Sequence, residues 1–363
     1  MLEKQVIFVS FYDMNYSRSA VLLNSDSAMF ERIYYKLSHG SISMLLEFRR
    51  ILKLHRGKIA AVVVMSPSHK IIPIIRIFCH YPLILDAGWP LTDGSKSRRR
   101  TDFRWKMTSI VSYTKLLAID FLSFCMADLL LVETNEQRKR VRQKFFLTES
   151  KVKVSFTGFN EVGQGLFSND LVGQSAREEN VIKKRTRILF RGKINQESGF
   201  SNIVEAFKML DDKFEIIYVV NRIPKNHSYH PNERFITSYA DRDLTTIYAD
   251  ADICIGQVSS HERLEVTIPH KAFEAAFFSK VYISARNSAI EEFASDSEVF
   301  FLNVPNPESI SKAIIEIAAD RELRNSLGVN FNRKYHQVAS QKLLGNQLDI
   351  WVKTLCQPDL DNI

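Results

Sequence analysis

The chain has 363 residues, 45% apolar and 25% charged, a balance that fits a folded globular protein with room for two cores and excludes a disordered or fibrous one. Its net charge of +8 is one-sided: residues 1–170 carry +10 and the remainder −2. The excess lies in three runs, Arg49–Arg50–Lys53–Arg56–Lys58, Lys96–Arg98–Arg99–Arg100–Arg104–Lys106 and Arg138–Lys139–Arg140–Arg142–Lys144. Such a field suits an anionic partner: a membrane leaflet, a pyrophosphate-linked lipid or nucleic acid. Solvated helix faces are the alternative reading.

The opening MLEKQVIFVSF has a strand-length apolar run and no small-residue cleavage site, so a secretory leader is not expected. Cys79, Cys125, Cys254 and Cys356 stand singly in apolar surroundings, which predicts buried free thiols in a reducing compartment rather than disulfides or zinc. No stretch reaches the ~18–20 apolar residues of a membrane span; the nearest, 116–132, contains Asp120 and Asp128.

In chain order, Gln5–Phe11 reads as a strand, Ser25–Ser38 as a helix, and Ile42–Leu54 as a helix with apolar residues at helical spacing. Ile59–Met65 is an unbroken apolar run typical of a strand buried on both faces. Tyr81–Leu85 is a further strand ending at Asp86. A helix fits Ile110–Met126, a strand Leu129–Glu133, a helix 135–145 capped by Thr134, and a strand Val152–Phe156. Residues 160–186 are polar and aperiodic and read as a linker. Alternation resumes with strands at Arg187–Arg191, Phe214–Val220, Ile253–Ile255 and Val281–Ser284, and helices at 200–210, Leu244–Ala249, Lys271–Phe278, 308–319, 321–334 and 338–356. This rhythm predicts two consecutive parallel α/β lobes. The expected boundaries are a first domain over 1–162, a linker over 163–186, a second domain over 187–337, and a last, amphipathic helical segment over 338–363.

The first βα turn, SFYDMNYSR, has no GxGxxG, and no GxxxxGK[ST], GxSxG or HExxH occurs. Two Asp-x-Asp matches, Asp241–Asp243 and Asp250–Asp252, read as a helix cap and a helix-to-strand joint rather than a metal site. The informative residues come later. Arg191–Gly192–Lys193 follow a buried strand directly, where open α/β sheets bind ligands. A glycine there admits a phosphate close to the backbone, and the flanking cations suit a diphosphate. Pro269 then starts a helix whose amino-terminal amides, with His270 and Lys271, make a second anion site. Glu274, one turn in, can accept hydrogen bonds from both ribose hydroxyls of a nucleotide; stabilisation of the helix dipole is its other reading.

RILFRGKINQESGFSNIVEAF, IYADADICIGQ and IPHKAFEAAFFSKVYIS together resemble the donor-binding lobe of GT-B glycosyltransferases of the retaining, family-4-like group. YPLILDAGWPL, FCMADLLLVETNEQRKRV and KVKVSFTGFN resemble the acceptor lobe of that group. The resemblance implies an α/β, GT-B fold with two Rossmann-like domains facing each other across a cleft, and the last helix, 338–363, packing back on the first domain. It also implies a metal-independent transfer from a UDP- or GDP-sugar, as co-substrate and with no cofactor, to a saccharide or lipid-linked acceptor in cell-surface polysaccharide or glycoconjugate synthesis. Lys193 would face the diphosphate, with Arg191 and Gly192 beside it, and Glu274 would hold the ribose. Ser198 stands where the group usually has a lysine, and Arg191 or Lys271 is the candidate substitute. The group's upstream glutamate falls on Val266, with Glu265 the nearest carboxylate. The segment from Tyr12 to Arg18 replaces a glycine-rich loop, and Arg18 is an expected acceptor contact. Asp86 is the candidate for orienting or deprotonating the acceptor hydroxyl, or a loop-initiating Asp. Trp89 would stack on a sugar ring, or simply pack. The expected setting is cytoplasmic, with attachment to the inner face of the plasma membrane as a further expectation and no nucleic acid partner. A nucleotide-sugar epimerase or hydrolase of the same fold, and a catalytically silent sugar- or nucleic-acid-binding protein, are the alternatives.

Overall fold

The structure is a computed structural model that describes residues 4–13, 17–27, 29–94, 108–161, 185–224, 232–237 and 243–357. The second basic run and most of the expected linker, 162–184, lie outside the described residues. The chain divides into two compact units, one of Met1–Asn160 with Ser340–Ile363, the other of Glu161–Ala339.

The first unit runs β1 (Gln5–Ser10), α1 (Ser17–Asn24), β2 (Glu31–Lys36), α2 (Ser41–Leu54), β3 (Ile59–Met65), α3 (Ile71–Ile75), β4 (Leu83–Gly88), α4 (Thr108–Met126), β5 (Leu129–Val132), α5 (Asn135–Phe145) and β6 (Val152–Val154). Its strands form one parallel sheet in the order β2-β1-β3-β4-β5-β6. Alternate side chains of the central strands feed two cores. Ile7, Val9, Val62, Val64 and Leu85 pack with Met44 and Phe48 of α2, Ile71 of α3 and Phe124 of α4. Val6, Phe8, Val63, Ile84 and Leu131 pack with Val21 and Leu22 of α1 and with Leu344, Leu348 and Val352 of the carboxy-terminal helix, Gln341–Cys356. This explains why β1 and β3 read as unbroken apolar runs: helices cover both sheet faces.

The expected helix over Ser25–Ser38 is corrected. Glu31–Lys36 is a strand paired with β1 in parallel register, and the helix is the preceding Ser17–Asn24. The run Ile33–Tyr34–Tyr35 carries β-branched and aromatic side chains that suit a sheet edge. The Thr134 cap forms as expected, its hydroxyl accepting from the Gln137 amide at 3.1 Å. Of the four thiols, Cys79 and Cys254 are buried, whereas Cys125 and Cys356 are exposed.

Arg32 of β2 anchors the carboxy-terminal helix. Its Nη2 donates to Asp349 Oδ1 at 2.8 Å and to the Gly345 carbonyl at 2.9 Å, with both charged side chains buried. Removing one partner leaves a buried charge uncompensated, so Asp349→Ala is expected to cost about 3–5 kcal/mol, measured by urea unfolding. Unchanged stability would show that water reaches Arg32.

The second unit runs β7 (Thr186–Gly192), α6 (Phe200–Lys208), β8 (Phe214–Val220), β9 (Glu233–Ile236), α7 (Asp243–Asp250), β10 (Ile253–Ile255), α8 (His270–Phe277), β11 (Val281–Ala285), α9 (Ser288–Glu291), β12 (Phe300–Leu302), α10 (Pro307–Ala319) and α11 (Arg321–Val338). Its strands are again all parallel, in the order β12-β11-β10-β7-β8-β9. Ile203 and Phe207 of α6 with Ile310 and Ile314 of α10 cover one face. Sequence reading missed β9, α9 and β12, all three to four residues long, too short to show a period.

Candidate functional site

The chain leaves β7 for β8 on one side and returns to β10 on the other, so the sheet reverses direction between β7 and β10. Loops part at such a reversal and leave a crevice beyond the carboxyl ends of the strands. Gly192 ends β7 with φ at +154°, a region side chains other than hydrogen rarely enter. Gly256 follows β10, and a Cβ added there would lie 2.5 Å from the Tyr282 ring. Gly256→Ala is therefore expected to destabilise by about 1–3 kcal/mol through overpacking, read from the urea midpoint.

Lys271, in the first turn of α8, reaches back to both strand ends. Its Nζ donates to the Gly256 carbonyl at 2.9 Å and sits 4.4 Å from the centroid of Phe190. A Cβ at Gly192 would be 3.4 Å from the same nitrogen. Burial, reinforced by the Arg191 charge, pulls this ammonium down to about 7, against the opposing pull of Glu274. Lys193, one residue past Gly192, is exposed and makes no ion pair among the described residues.

Glu274 is fully buried and already bonded on both oxygens. Arg191 Nη1 lies 2.7 Å from each, Tyr248 donates its hydroxyl to Oε2 at 2.6 Å, and His270 Nδ1 lies 2.8 Å from Oε1. Burial by itself would raise this carboxyl, but Arg191, His270 and the Tyr248 hydrogen bond outweigh it and hold the group at about 2. Thus Arg191, expected to face a diphosphate, faces Glu274 instead, because a carboxylate buried in a low-dielectric interior has to be paired. It is His270, four residues earlier, that meets Glu274 within the helix, while Lys271 turns to the strand ends.

Ser198 is buried and closes a turn, its amide donating to Asn195 Oδ1 at 2.8 Å and its hydroxyl to the Asn195 carbonyl at 2.8 Å. The loop is tied down by Glu197–Arg263 at 2.9 Å. Glu265 lies in a short 3₁₀ turn and accepts from Ser288 Oγ at 2.5 Å and Ser288 N at 3.2 Å, so it holds the first residue of α9, whose cap is Asn287. The Asp-x-Asp pair Asp250–Asp252 serves the opposite sheet end: Asp252 accepts from the Arg187 amide at 2.8 Å and Asp250 pairs with its guanidinium at 3.4 Å. Asp241 lies outside the described residues. No group of three potential metal ligands occurs among the described residues.

In the first unit the expected place of Asp86 at the end of a strand is corrected. It lies inside β4, not beyond its end, and is fully buried. Its Oδ1 accepts from Arg18 Nε at 2.7 Å, and Arg18 Nη1 donates to the Ser155 carbonyl at 2.6 Å. Arg18 is itself buried, so the geometry turns this expected acceptor contact inward. His69 is buried beside the pair, and desolvation holds it down to about 4, hence neutral. Trp89 is half-buried, with Gly94 beneath its ring. Sequence reading missed Tyr248 and Gly256. The glycine was legible as the second to follow a buried strand, whereas nothing in the local sequence singles out the tyrosine.

Two parallel six-stranded α/β units in tandem, each reversing its strand order beside its first strand, define a GT-B fold of two Rossmann-like domains. The solved structures similar to it include sucrose-phosphate synthase from Thermosynechococcus elongatus, with a TM-score of 0.69 at 12% identity over 97% of this chain and 99% of that one. HepE of Anabaena in complex with UDP has a TM-score of 0.67 at 11% identity over 96% of this chain and 100% of that one. That protein has also been solved with UDP-glucose, and with UDP and glucose. A putative UDP-N-acetylglucosamine 2-epimerase from Listeria monocytogenes has a TM-score of 0.56 at 10% identity, over 98% of this chain and 96% of that one. No protein-family model and no curated protein sequence matches the chain.

Proposed function

We propose that the chain is a glycosyltransferase that moves a hexosyl group from a nucleoside diphosphate sugar to a saccharide or lipid-linked acceptor in cell-surface polysaccharide or glycoconjugate synthesis. The observation that carries this reading is the meeting, at one reversal of strand order, of the buried Lys271, the amino end of α8 and the carboxylate Glu274, with the exposed Lys193 one residue past Gly192. Lys193, Lys271 and the α8 amides would face the diphosphate. The ribose hydroxyls would take the place of Arg191 on Glu274, which releases Arg191 toward the phosphates.

The reaction breaks the bond from the anomeric carbon to the diphosphate oxygen and forms one to the acceptor oxygen. Charge builds on the β-phosphate, where the cations and helix amides act, with neither metal nor cofactor. The acceptor proton passes to the departing phosphate, a route that suits retention of configuration and needs no protein base. This accords with an Asp86 that is buried and tied to Arg18. UDP is the nucleotide to test first, since HepE is solved with it; GDP is the second. A lipid-linked acceptor and the basic first half favour peripheral attachment to an anionic membrane face.

A panel of nucleotide-sugars screened by thermal shift tests the reading, with the midpoint expected to rise for one of them. Lys193→Ala is expected to weaken that binding about ten- to a hundredfold with stability unchanged, the loss of one charge-assisted contact at an exposed site. A flat panel for every nucleoside diphosphate would end the proposal. Turnover without acceptor would instead favour the epimerase or hydrolase reading that the Listeria structure brings up.

A further inference from the structure

The first and third basic runs look alike in sequence but differ in the structure. The third lies on α5, and its charges are largely answered locally. Arg138 and Arg142 pair with Glu149 at 2.8 and 3.5 Å, Arg140 with Glu136 at 3.0 Å, and Lys144 with Asp93 at 3.5 Å. The first run is different. Arg49, Arg50, Lys53 and Arg56 are exposed and none makes an ion pair among the described residues. Glu47, the one acid of α2, turns away to accept from the Ser38 amide at 2.9 Å.

The same face carries uncovered aliphatic side chains. With Met44, Phe48 and Ile51 packed inward, Ile42, Leu46, Arg49, Arg50 and Lys53 share the outer side of α2 at helical spacing. Ile42 is 76% exposed, Leu46 54% and Leu54 71%, and just past α3 Ile77 is 72% exposed. Arg49 lies over the ring of neighbouring Phe78, its Cζ 5.6 Å from the centroid, which joins the two segments into one patch. Unpaired cations alone would suit any polyanion. Aliphatic side chains interleaved with them suit a surface that is anionic outside and hydrocarbon beneath, and are out of place against a nucleic acid backbone. No helix among the described residues is long and apolar enough to cross a membrane, so contact there would be with the surface.

We propose that the outer face of α2 with the turn after α3 docks on an anionic phospholipid leaflet, Ile42, Leu46 and Ile77 entering the acyl boundary while Arg49, Arg50, Lys53 and Arg56 meet the phosphates. This deepens the peripheral attachment proposed above and rests on that part of the reading. Nucleotide binding, measured on the same samples, keeps the two separable.

The test is co-sedimentation of the full chain with phosphatidylcholine vesicles, with and without phosphatidylglycerol. Binding is expected only when the anionic lipid is present. Arg49→Ala/Arg50→Ala/Lys53→Ala should weaken it about a hundredfold, at roughly 1 kcal/mol per cation near the surface. Arg138→Ala/Arg140→Ala/Arg142→Ala removes the same formal charge from α5 and should leave it within about twofold. Ile42→Ser/Leu46→Ser/Ile77→Ser should reduce binding at least tenfold at unchanged charge. All three variants should keep wild-type nucleotide affinity and thermal midpoint. Equal losses from the α2 and α5 triples, or no loss from the serine triple, would overturn the proposal. So would a dimer dispersed by the serine triple with no vesicle binding, or retention on DNA insensitive to it.

Discussion

Lys271→Met is expected to make the protein more stable and to abolish nucleoside diphosphate binding at once. The ammonium of Lys271 is buried, and its proton affinity falls from 10.5 to about 7 in the fold. Between those values the unfolded chain holds a proton that the folded chain lacks, so stability rises with pH across that window and the full penalty applies below pH 7. At 1.36 kcal/mol per pH unit the penalty has an upper bound of about 5 kcal/mol. That figure already includes the opposing pull of Glu274, and methionine removes the penalty while filling the same space over Phe190. A diphosphate arriving beside Nζ reverses the balance, since it stabilises the protonated form. Binding near pH 8 should therefore take up close to one proton, and affinity should fall by up to tenfold per pH unit above 7. Titration calorimetry in two buffers of different ionisation enthalpy reads this directly. Nucleotide binding without proton uptake at pH 8 would mean that Lys271 does not face the phosphates.

Glu274→Ala has the opposite sign on stability. Arg191 and Tyr248 lose their shared buried acceptor, and loss of one partner from a buried ion pair costs about 3–5 kcal/mol. The depressed carboxyl predicts the pH dependence. Held at about 2 against an ordinary 4.5, Glu274 contributes about 3 kcal/mol above pH 4.5, and this is lost as pH falls toward 2. Wild type and Glu274→Ala should thus differ most near neutral pH and converge in acid, as measured by urea unfolding at pH 7 and pH 3. Glu274→Gln keeps an acceptor for Tyr248 without the charge, so it separates loss of fold from loss of ribose binding. A fully stable Glu274→Ala at pH 7 would mean that Arg191 finds another partner at no cost.

The two variants also explain why the site was only partly legible beforehand. The positions of Gly192, Lys193, Lys271 and Glu274 at strand ends and at a helix start followed from local sequence, because a strand buried on both faces and a helix led by proline each leave a local pattern. Which cation meets which carboxylate did not. Arg191 and Glu274 are 83 residues apart, and their pairing exists only because parallel β7 and β10 bring the end of one and the helix after the other together. The same limit applies to Asp86, whose partner Arg18 lies 68 residues away. Read alone, Asp86 ends an apolar run and looks exposed; once β4 sits between β3 and β5, it is enclosed.

The amino-acid sequence by itself determined the α/β class, the tandem lobes, most strands and helices, and the region holding the nucleotide-binding candidates, since all of these rest on periodicity and neighbours within a few residues. Tertiary structure alone decided that Glu31–Lys36 is an edge strand, that Arg191 serves Glu274 rather than standing free, and that one basic run of the two described is left unpaired. The physical reason is that charge pairing and burial depend on which distant elements the sheet order brings together. Residue spacing along the chain does not encode that order.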